Sequence, residues 1–583
     1  MCDHRRLLLI TSYEVVVLFG MYSALEYIPF FVAKKGKNMS KLKGVLAGIV
    51  TVSLGMLLAA CGNNNASTAE KNTLNLSTTA PLDTIDISKS TGFGQTGNVF
   101  ESFYRLGKKG KPTAGLAKSG TVSKDGKTWT FKLRNAKWSN GDPITAQDFV
   151  YSWRRSLNPK TASPYSYLFS GVKNADAVAQ GKMKPSAVGI SAPNKKTVVV
   201  KLNRPIAYFK VLMAYPLFGP QNEKVVNKYG KKYATKAQYQ VYSGPFKIKG
   251  WNGTNDTWSF VKNNDYWDKK AVKLDKINYQ VVKSNNTGYQ MYQQGKLDLT
   301  PLSSEQVKNV KSNKDFTQYP YSLVRFLLYN FKDKNAVNRK ALNNKNIRLA
   351  LSLSIDRDIV TKKVLGNGST LPKGFVANDL AANPKTGIDF AKEQAVKNTV
   401  DYNPALAKKY WQKGLQEIGQ KSLTFDVLSS NDEADSDQLT QYLQSQWTKE
   451  LKGIKINITN IPDKSTTSRA HQGNFDIYLS HWGGDFNDPM TFMQIPMTGT
   501  SYNYGKWSNS EYDNLVKKAG NQDANNPDIR WNDLVSAAKI VNGNQAITPI
   551  YQQTTAYLQN KRVHGIIHNT AGTQWSYKYA YVD

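Results

Sequence analysis

The segment Trp129-Thr130-Phe131-Lys132-Leu133-Arg134 and, three residues on, Trp138-Ser139-Asn140-Gly141-Asp142-Pro143-Ile144-Thr145-Ala146-Gln147-Asp148-Phe149-Val150-Tyr151-Ser152-Trp153-Arg154-Arg155 reads as a strand, a turn and a helix in succession. Trp129, Phe131 and Leu133 alternate with Thr130 and Lys132, the period of a half-buried strand, and Asp125-Gly126 before them is a hairpin turn. Asn140-Gly141-Asp142-Pro143 is turn chemistry. Thr145 and Asp148 stand at the first and fourth positions of a capping box, which opens a helix carrying Phe149, Val150 and Trp153.

Working outward, short strands continue to alternate with helices. Strands are expected at Thr73 to Thr78, Thr197 to Leu202 and Lys455 to Thr459. Ile347, Leu351, Ile355 and Ile359 recur every four residues and predict one helix from Ile347 to Leu365, stopped by Gly366. This is an α/β pattern without internal repeats. The 583 residues suggest about four domains, or fewer large ones. With 40% hydrophobic and 11% aromatic residues, wholesale disorder, a collagen-like chain and a polytopic membrane protein are excluded. The net charge is +35, from 64 Lys and 14 Arg against 43 Asp plus Glu. Base readout leans on arginine forks and clustered stripes, whereas here Lys is spread from Lys71 to Lys578 among Asn, Gln and Tyr. A solvated basic surface is expected, and no nucleic-acid partner.

The first sixty residues carry a different signal. Leu7 to Ala33 is apolar but interrupted by Glu14 and Glu26, leaving 11 uncharged residues from Val15 to Leu25, against the roughly 20 needed to cross a bilayer. Met39, then Lys41 and Lys43, an uncharged stretch from Gly44 to Ala60 and the ending Leu58-Ala59-Ala60-Cys61 describe a secretory signal of the lipoprotein kind. Cys61 is then the diacylated mature N-terminus, residues 61–70 are a polar tether, and residues 1–38 are an extension upstream of the true start. A buried cysteine closing a core helix is the plainer alternative for Cys61. Residues 1–60 hold 7 basic and 3 acidic residues, so the mature chain would keep 35 − 4, or +31.

Three motifs fail on context. Gly92-Phe93-Gly94-Gln95-Thr96-Gly97 fits G-x-G-x-x-G, but Thr73 to Thr78 ends well before it and no carboxylate falls between Lys111 and Val122, where a ribose-binding acid belongs. Gly120 to Thr128 has five residues between its glycines where a P-loop needs four. Ser536-Ala537-Ala538-Lys539 follows Lys385-Thr386-Gly387, the reverse of the penicillin-recognising order. The five His (4, 471, 481, 564 and 568) have no metal-site spacing. Neither an enzyme nor a cofactor or metal protein is expected.

The opening segment, continued by Asn158-Pro159-Lys160-Thr161-Ala162-Ser163-Pro164-Tyr165, resembles the family 5 solute-binding proteins of ABC importers, and their oligopeptide-binding branch in particular. Ser243 to Ile248, Asn264 to Asp268, Ala350 to Arg357, Trp482 to Pro489 and Trp507 to Asp513 fall in the family's order, and the resemblance covers residues 71–583. It implies a two-lobed periplasmic-binding-protein-like fold (type II, the large three-domain variety) with an interlobe cleft and hinge. On this sequence lobe I would comprise 71–104, 221–320 and 551–583, an inserted domain 105–220 and lobe II 321–550. The crossings would fall near Tyr321 to Phe331 and Thr548 to Leu558, both apolar and β-prone.

The resemblance also implies a function. A lipid-anchored monomer on the extracytoplasmic face of the membrane would capture an extended oligopeptide and deliver it to ABC permease and ATPase subunits; a surface adhesin or peptide sensor on the same fold is the alternative. His481-Trp482-Gly483-Gly484-Asp485 matches the segment in which the family keeps an aspartate for the peptide α-amino group, which would be Asp485. A buried ammonium requires such a partner. Trp482 could wall a pocket, while Gly483 and Gly484 leave main chain open to close approach. Two departures affect the carboxylate end. Leu479 stands where oligopeptide members carry an arginine, and Arg469 is displaced by one from a second. The Gly92 to Gly97 loop is either an element of the cleft mouth or a connector.

Overall fold

The computed structural model describes residues 72–432 and 436–583. The lipidation site Cys61, the tether and the upstream extension lie outside the described residues. The described residues form one compact unit.

Its backbone is a ten-stranded mixed sheet. In chain order the strands are β1 (Thr73–Thr78), β2 (Phe246–Lys249), β3 (Thr257–Lys262), β4 (Lys276–Val281), β5 (Leu299–Pro301), β6 (Phe316–Tyr329), β7 (Leu423–Ser430), β8 (Ile454–Ile461), β9 (Ile477–Gly483) and β10 (Ile547–Gln559). They are ordered β8-β7-β9-β6-β10-β5-β1-β4-β3-β2. The two long strands β6 and β10 pair antiparallel from Phe316↔Leu558 to Leu328↔Ile547, with irregularities after Pro320 and Arg325. Pro320 has no N–H to give the ladder, a natural place for the strand to bend. Every strand on one flank of this pair comes from residues 73–301 and every strand on the other from 423–483. The two segments read as crossings thus run as neighbours through the middle of the sheet.

A separate four-stranded antiparallel sheet is built from Ala117–Val122, Thr128–Leu133, Thr197–Lys201 and Ile190–Asn194. Its first hairpin turns at Asp125-Gly126, with Gly126 at φ +70° and the Asp125 carboxylate accepting the Lys127 N–H at 3.1 Å. The helix Ala146–Leu157 begins where expected: the Asp148 carboxylate accepts the Thr145 N–H at 2.7 Å and its hydroxyl at 3.0 Å. Phe149 and Trp153 on its inner face meet Phe103 at ring distances of 4.2 and 6.4 Å, and Phe103 in turn stacks on Phe131 at 4.2 Å. Offset and edge-on packing of this kind adds to plain burial. The Trp153 indole N–H donates to the Phe218 carbonyl at 3.0 Å, so the ring is buried without an orphaned donor.

The long helix expected over Ile347 to Leu365 is broken. Lys345–Leu353 is one helix, and a second short one, Arg357–Ile359, leads into a wide π-type turn, Val360–Leu365. The break has a side-chain cause. The Ser354 hydroxyl donates back to the Ala350 and Leu351 carbonyls, and the Asp356 carboxylate caps the Ile359 N–H at 3.0 Å, starting a new helix. Gly366, at φ +61°, ends the segment.

Candidate ligand site at the end of strand β9

Strand β9 pairs antiparallel with β6 over its full length, from Ile477↔Tyr329 to Gly483↔Leu323. Its parallel ladder with β7 covers only Ile477 and Tyr478. Beyond Tyr478 the strand runs on toward Gly483 and then turns into Gly484 and Asp485. Gly483 is exposed, and the nearest atom to an added Cβ there is a Leu323 carbon at 4.0 Å. Gly484 is different. A Cβ there would lie 2.8 Å from the Ser322 hydroxyl and 3.3 Å from the Phe492 ring, and its N–H donates to the Ser322 carbonyl at 2.8 Å. Its missing side chain makes room for Ser322 and fixes the turn.

That turn delivers Asp485. Its N–H donates to the Thr491 hydroxyl at 2.9 Å, and its Oδ1 accepts the Tyr167 hydroxyl at 3.1 Å. Oδ2 is buried and has no hydrogen-bond partner among the described residues. Burial pushes the carboxyl up to about 6, with the Tyr167 hydrogen bond pulling the other way. Tyr165, Tyr215 and Tyr502 are themselves raised by burial and by the charge of Asp485, which places them around it. Downstream, Phe486 stacks on Tyr208 with ring centroids 4.2 Å apart. Asp488 then receives both Arg530 Nη atoms at 2.9 and 2.6 Å. The segment is therefore anchored on both sides of Asp485, whose Oδ2 stays without a hydrogen-bond partner among the described residues.

Trp482 rests edge-on against Tyr502 at 4.9 Å, and its buried Nε1 has no partner among the described residues. His481 lies across from Arg325, whose Nη1 is 3.3 Å from Nδ1. Burial first, and Arg325 second, lower the His481 pKa to about 4, so the ring is neutral at pH 7. Leu479 is buried opposite Leu327, well inside the sheet. Arg469 sits on the helix Asp463–His471 and faces Asp426 at 3.8 Å. The Gly92 to Gly97 loop reaches the same region: Phe93 lies 5.2 Å from Tyr165 and 6.0 Å from Tyr215, and the Tyr165 hydroxyl donates to the Thr91 carbonyl at 2.8 Å.

The tyrosines around Asp485 and Phe93 were not legible as site residues. Tyr165 and Tyr167 follow the helix of the opening segment, Tyr215 and Tyr502 lie far along the chain, and no spacing links them. Among the described residues no group of three His, Cys, Asp or Glu side chains is gathered to hold a metal. No described helix is long and apolar enough to cross a membrane.

A mixed sheet threaded by two central strands, with a buried aspartate carboxylate where distant chain segments meet, has the α/β fold of the type II periplasmic binding proteins, cluster C. The chain belongs to the bacterial extracellular solute-binding proteins, family 5, whose profile (family 5 Middle) matches residues 111–504. These are binding proteins and not enzymes. It is 38% identical over 554 residues to the dipeptide-binding protein of Lactococcus lactis subsp. cremoris, covering 92% of this chain and 98% of that one. It is 33% identical over 546 residues to the oligopeptide-binding protein OppA of Bacillus subtilis, covering 89% and 96%. The structure of Listeria monocytogenes OppA bound to peptide superposes with a TM-score of 0.71 at 36% identity, over 88% of this chain and 99% of that one.

Proposed function

We propose that this chain is the lipid-anchored peptide-binding subunit of an ABC importer, which captures extended peptides in an interlobe cleft and hands them to a separate permease driven by an ATPase subunit. Lobe I comprises residues 71–104, 221–320 and 551–583, lobe II residues 321–550, and the inserted domain 105–220. Strands β6 and β10 carry the hinge. The peptide adds along β9 past Tyr478, where the β7 ladder stops; main-chain pairing supplies affinity that does not depend on side chains. Its α-ammonium meets Asp485, and Trp482 and Tyr502 border the first side chain. Water in the remaining pockets adapts to varied side chains. Cys61 carries the acyl chains, and two of them hold a protein on a bilayer where one would be marginal.

The observation that carries this reading is Asp485 Oδ2, buried with no hydrogen-bond partner among the described residues, at the end of the strand where a peptide would begin. Mass spectrometry of the ligand released from protein purified without refolding tests it. A mixture of short peptides is expected; a lone sugar, a metal chelate or haem would overturn it.

A further inference from the structure

Charge is spread unevenly along the chain. Residues 105–220 hold 21 Lys and Arg against 4 Asp and no Glu, so 21 − 4, or +17, of the chain's +35 falls in this stretch. Its few acids are committed. The Asp125 carboxylate accepts the Ser123 hydroxyl and the Lys127 N–H, and Asp142 accepts the Asn140 and Asn222 amides at 3.0 and 3.2 Å. Asp148 caps the helix Ala146–Leu157, and Asp176 accepts the Ser170 hydroxyl at 3.3 Å. Two arginines of the stretch pair with acids outside it, Arg105 with Glu101 at 2.8 Å and Arg155 with Asp86 at 2.6 Å. Among the described residues its 16 lysines make no ion pair.

The four-stranded sheet of this stretch has one covered and one open face. On the covered face Phe131 stacks on Phe103 at 4.2 Å and Trp129 lies 5.4 Å from Phe209, next to the Tyr208 that meets Phe486. Directly opposed residues of neighbouring strands share a face. On the open side Lys132 therefore stands between Ser119 and Thr197, Thr130 between Thr121 and Val199, and Thr128 beside Lys201, with Ser191 next to Val199. Ser119, Thr121, Lys132, Ser191 and Lys201 are exposed, and there is no carboxylate among these residues. The Lys132 and Lys201 pairs are four residues apart in register, about 13 Å along a strand. The exposed Lys118 and Lys195 adjoin the Lys132 end, and the exposed Lys124 and Lys127 of the hairpin adjoin the Lys201 end. Two cationic ends are thus joined by a row of hydroxyls.

The chemistry of this face selects its partner. It carries no aromatic ring on which a base would stack. It carries lysines and no arginine fork, so it presents compact point charges rather than planar pairs of donors. Ammonium groups separated by hydroxyls match a chain in which phosphates alternate with hydroxyl-bearing units. An extracellular solute-binding protein meets such chains among the polymers of the cell envelope. We propose that the open face of this sheet docks an anionic envelope polymer, a polyol chain linked by phosphodiesters. The face turns away from Tyr208 and Phe486, so the polymer and a ligand at Asp485 occupy separate sites.

Surface plasmon resonance of the mature chain on immobilised poly(glycerol phosphate) tests this, with neutral dextran and phosphatidylglycerol vesicles as comparison surfaces. The wild type should bind the polymer more tightly than either. It should lose binding near 1 M salt, where the screening length is about 3 Å. Lys132→Glu with Lys201→Glu should weaken binding about tenfold or more. Lys409→Glu with Lys421→Glu makes the same change in net charge on exposed lysines elsewhere, and should cost about threefold at most. The thermal unfolding midpoint of each variant reports its folding, and Lys132→Gln with Lys201→Gln serves if charge reversal disturbs the sheet. Equal losses in the two charge-reversed variants, a wild type that does not bind the polymer, or tighter binding to the vesicles or to dextran overturns the proposal.

Discussion

Asp485 holds one carboxylate oxygen against Tyr167 and buries the other with no protein hydrogen-bond partner among the described residues. Truncating one partner of a buried, hydrogen-bonded charge pair costs about 2–5 kcal/mol. Asp485→Asn should therefore weaken binding of a free-amine peptide by that amount and leave an N-acetyl peptide nearly unaffected, as read by titration calorimetry. Unchanged affinity for the free amine would remove Asp485 from the site. The pH dependence has a defined sign. The carboxyl is raised from 3.8 to about 6, so its contribution to the ligand-free fold is fully present below about pH 3.8 and is lost as the pH rises through about 6. An ammonium, with a pKa of about 8 in a free peptide, needs the charged form. Affinity should thus fall as the pH drops through about 6, by up to about tenfold per unit, and binding near pH 6 should release a proton, visible as a heat that varies with the buffer. A flat profile in the wild type would contradict this.

Among the elements, the broken helix at residues 345–365 carries the clearest energetic lesson. Its four-residue periodicity continues across Ser354 to the buried Ile355 and the half-buried Ile359, so the pattern alone looks like one helix. The break is made by polar side chains turned onto main chain, and Arg357 seals it. Its guanidinium donates to the carbonyls of Ser352 at 3.0 Å, Val400 at 2.8 Å and Pro549 at 2.9 Å. Burial lowers its pKa to about 10, with Tyr329 and Asp401 pulling the other way, and it stays charged at neutral pH. Arg357→Met keeps the bulk and orphans these acceptors, at about 1–3 kcal/mol for each carbonyl left without a partner. A clear drop in the thermal unfolding midpoint is expected; a midpoint equal to wild type would show that water replaces the guanidinium. The opening helix is the contrasting case, since Thr145 and Asp148 cap it as local sequence dictates.

At the scale of the whole molecule, the contacts that close the site come from segments remote in sequence. Arg204 Nη1 donates to the Gly520 carbonyl at 2.9 Å, Tyr208 stacks on Phe486, and Tyr167 reaches Asp485. If residues 105–220 and 321–550 close on each other around the ligand, small-angle scattering should give a smaller radius of gyration with peptide than without. An unchanged radius would argue against hinge closure. Tyr208→Ala should favour the open form and weaken free-amine and N-acetyl peptides alike, by several-fold if the stack is worth about 0.5–1.5 kcal/mol. The basic surface belongs to the extracytoplasmic body, and Cys61→Ser should move the protein from the membrane fraction to the medium; retention on the membrane would refute the lipid anchor.

Several features follow from local rules and are readable without coordinates: the hairpin at Asp125-Gly126, the cap at Thr145, the strand alternation and the glycine stop at Gly366 each depend on residues a few positions apart. Asp485 is readable as a candidate only through the family resemblance of its motif. The tertiary structure alone decided the rest. It brings Tyr165, Tyr167, Tyr215 and Tyr502 to one carboxylate, sets Arg325 beside His481, and breaks a helix whose periodicity is unbroken. The physical reason is that these contacts join residues separated by tens to hundreds of positions, where desolvation and strand register, not local propensity, determine which groups meet.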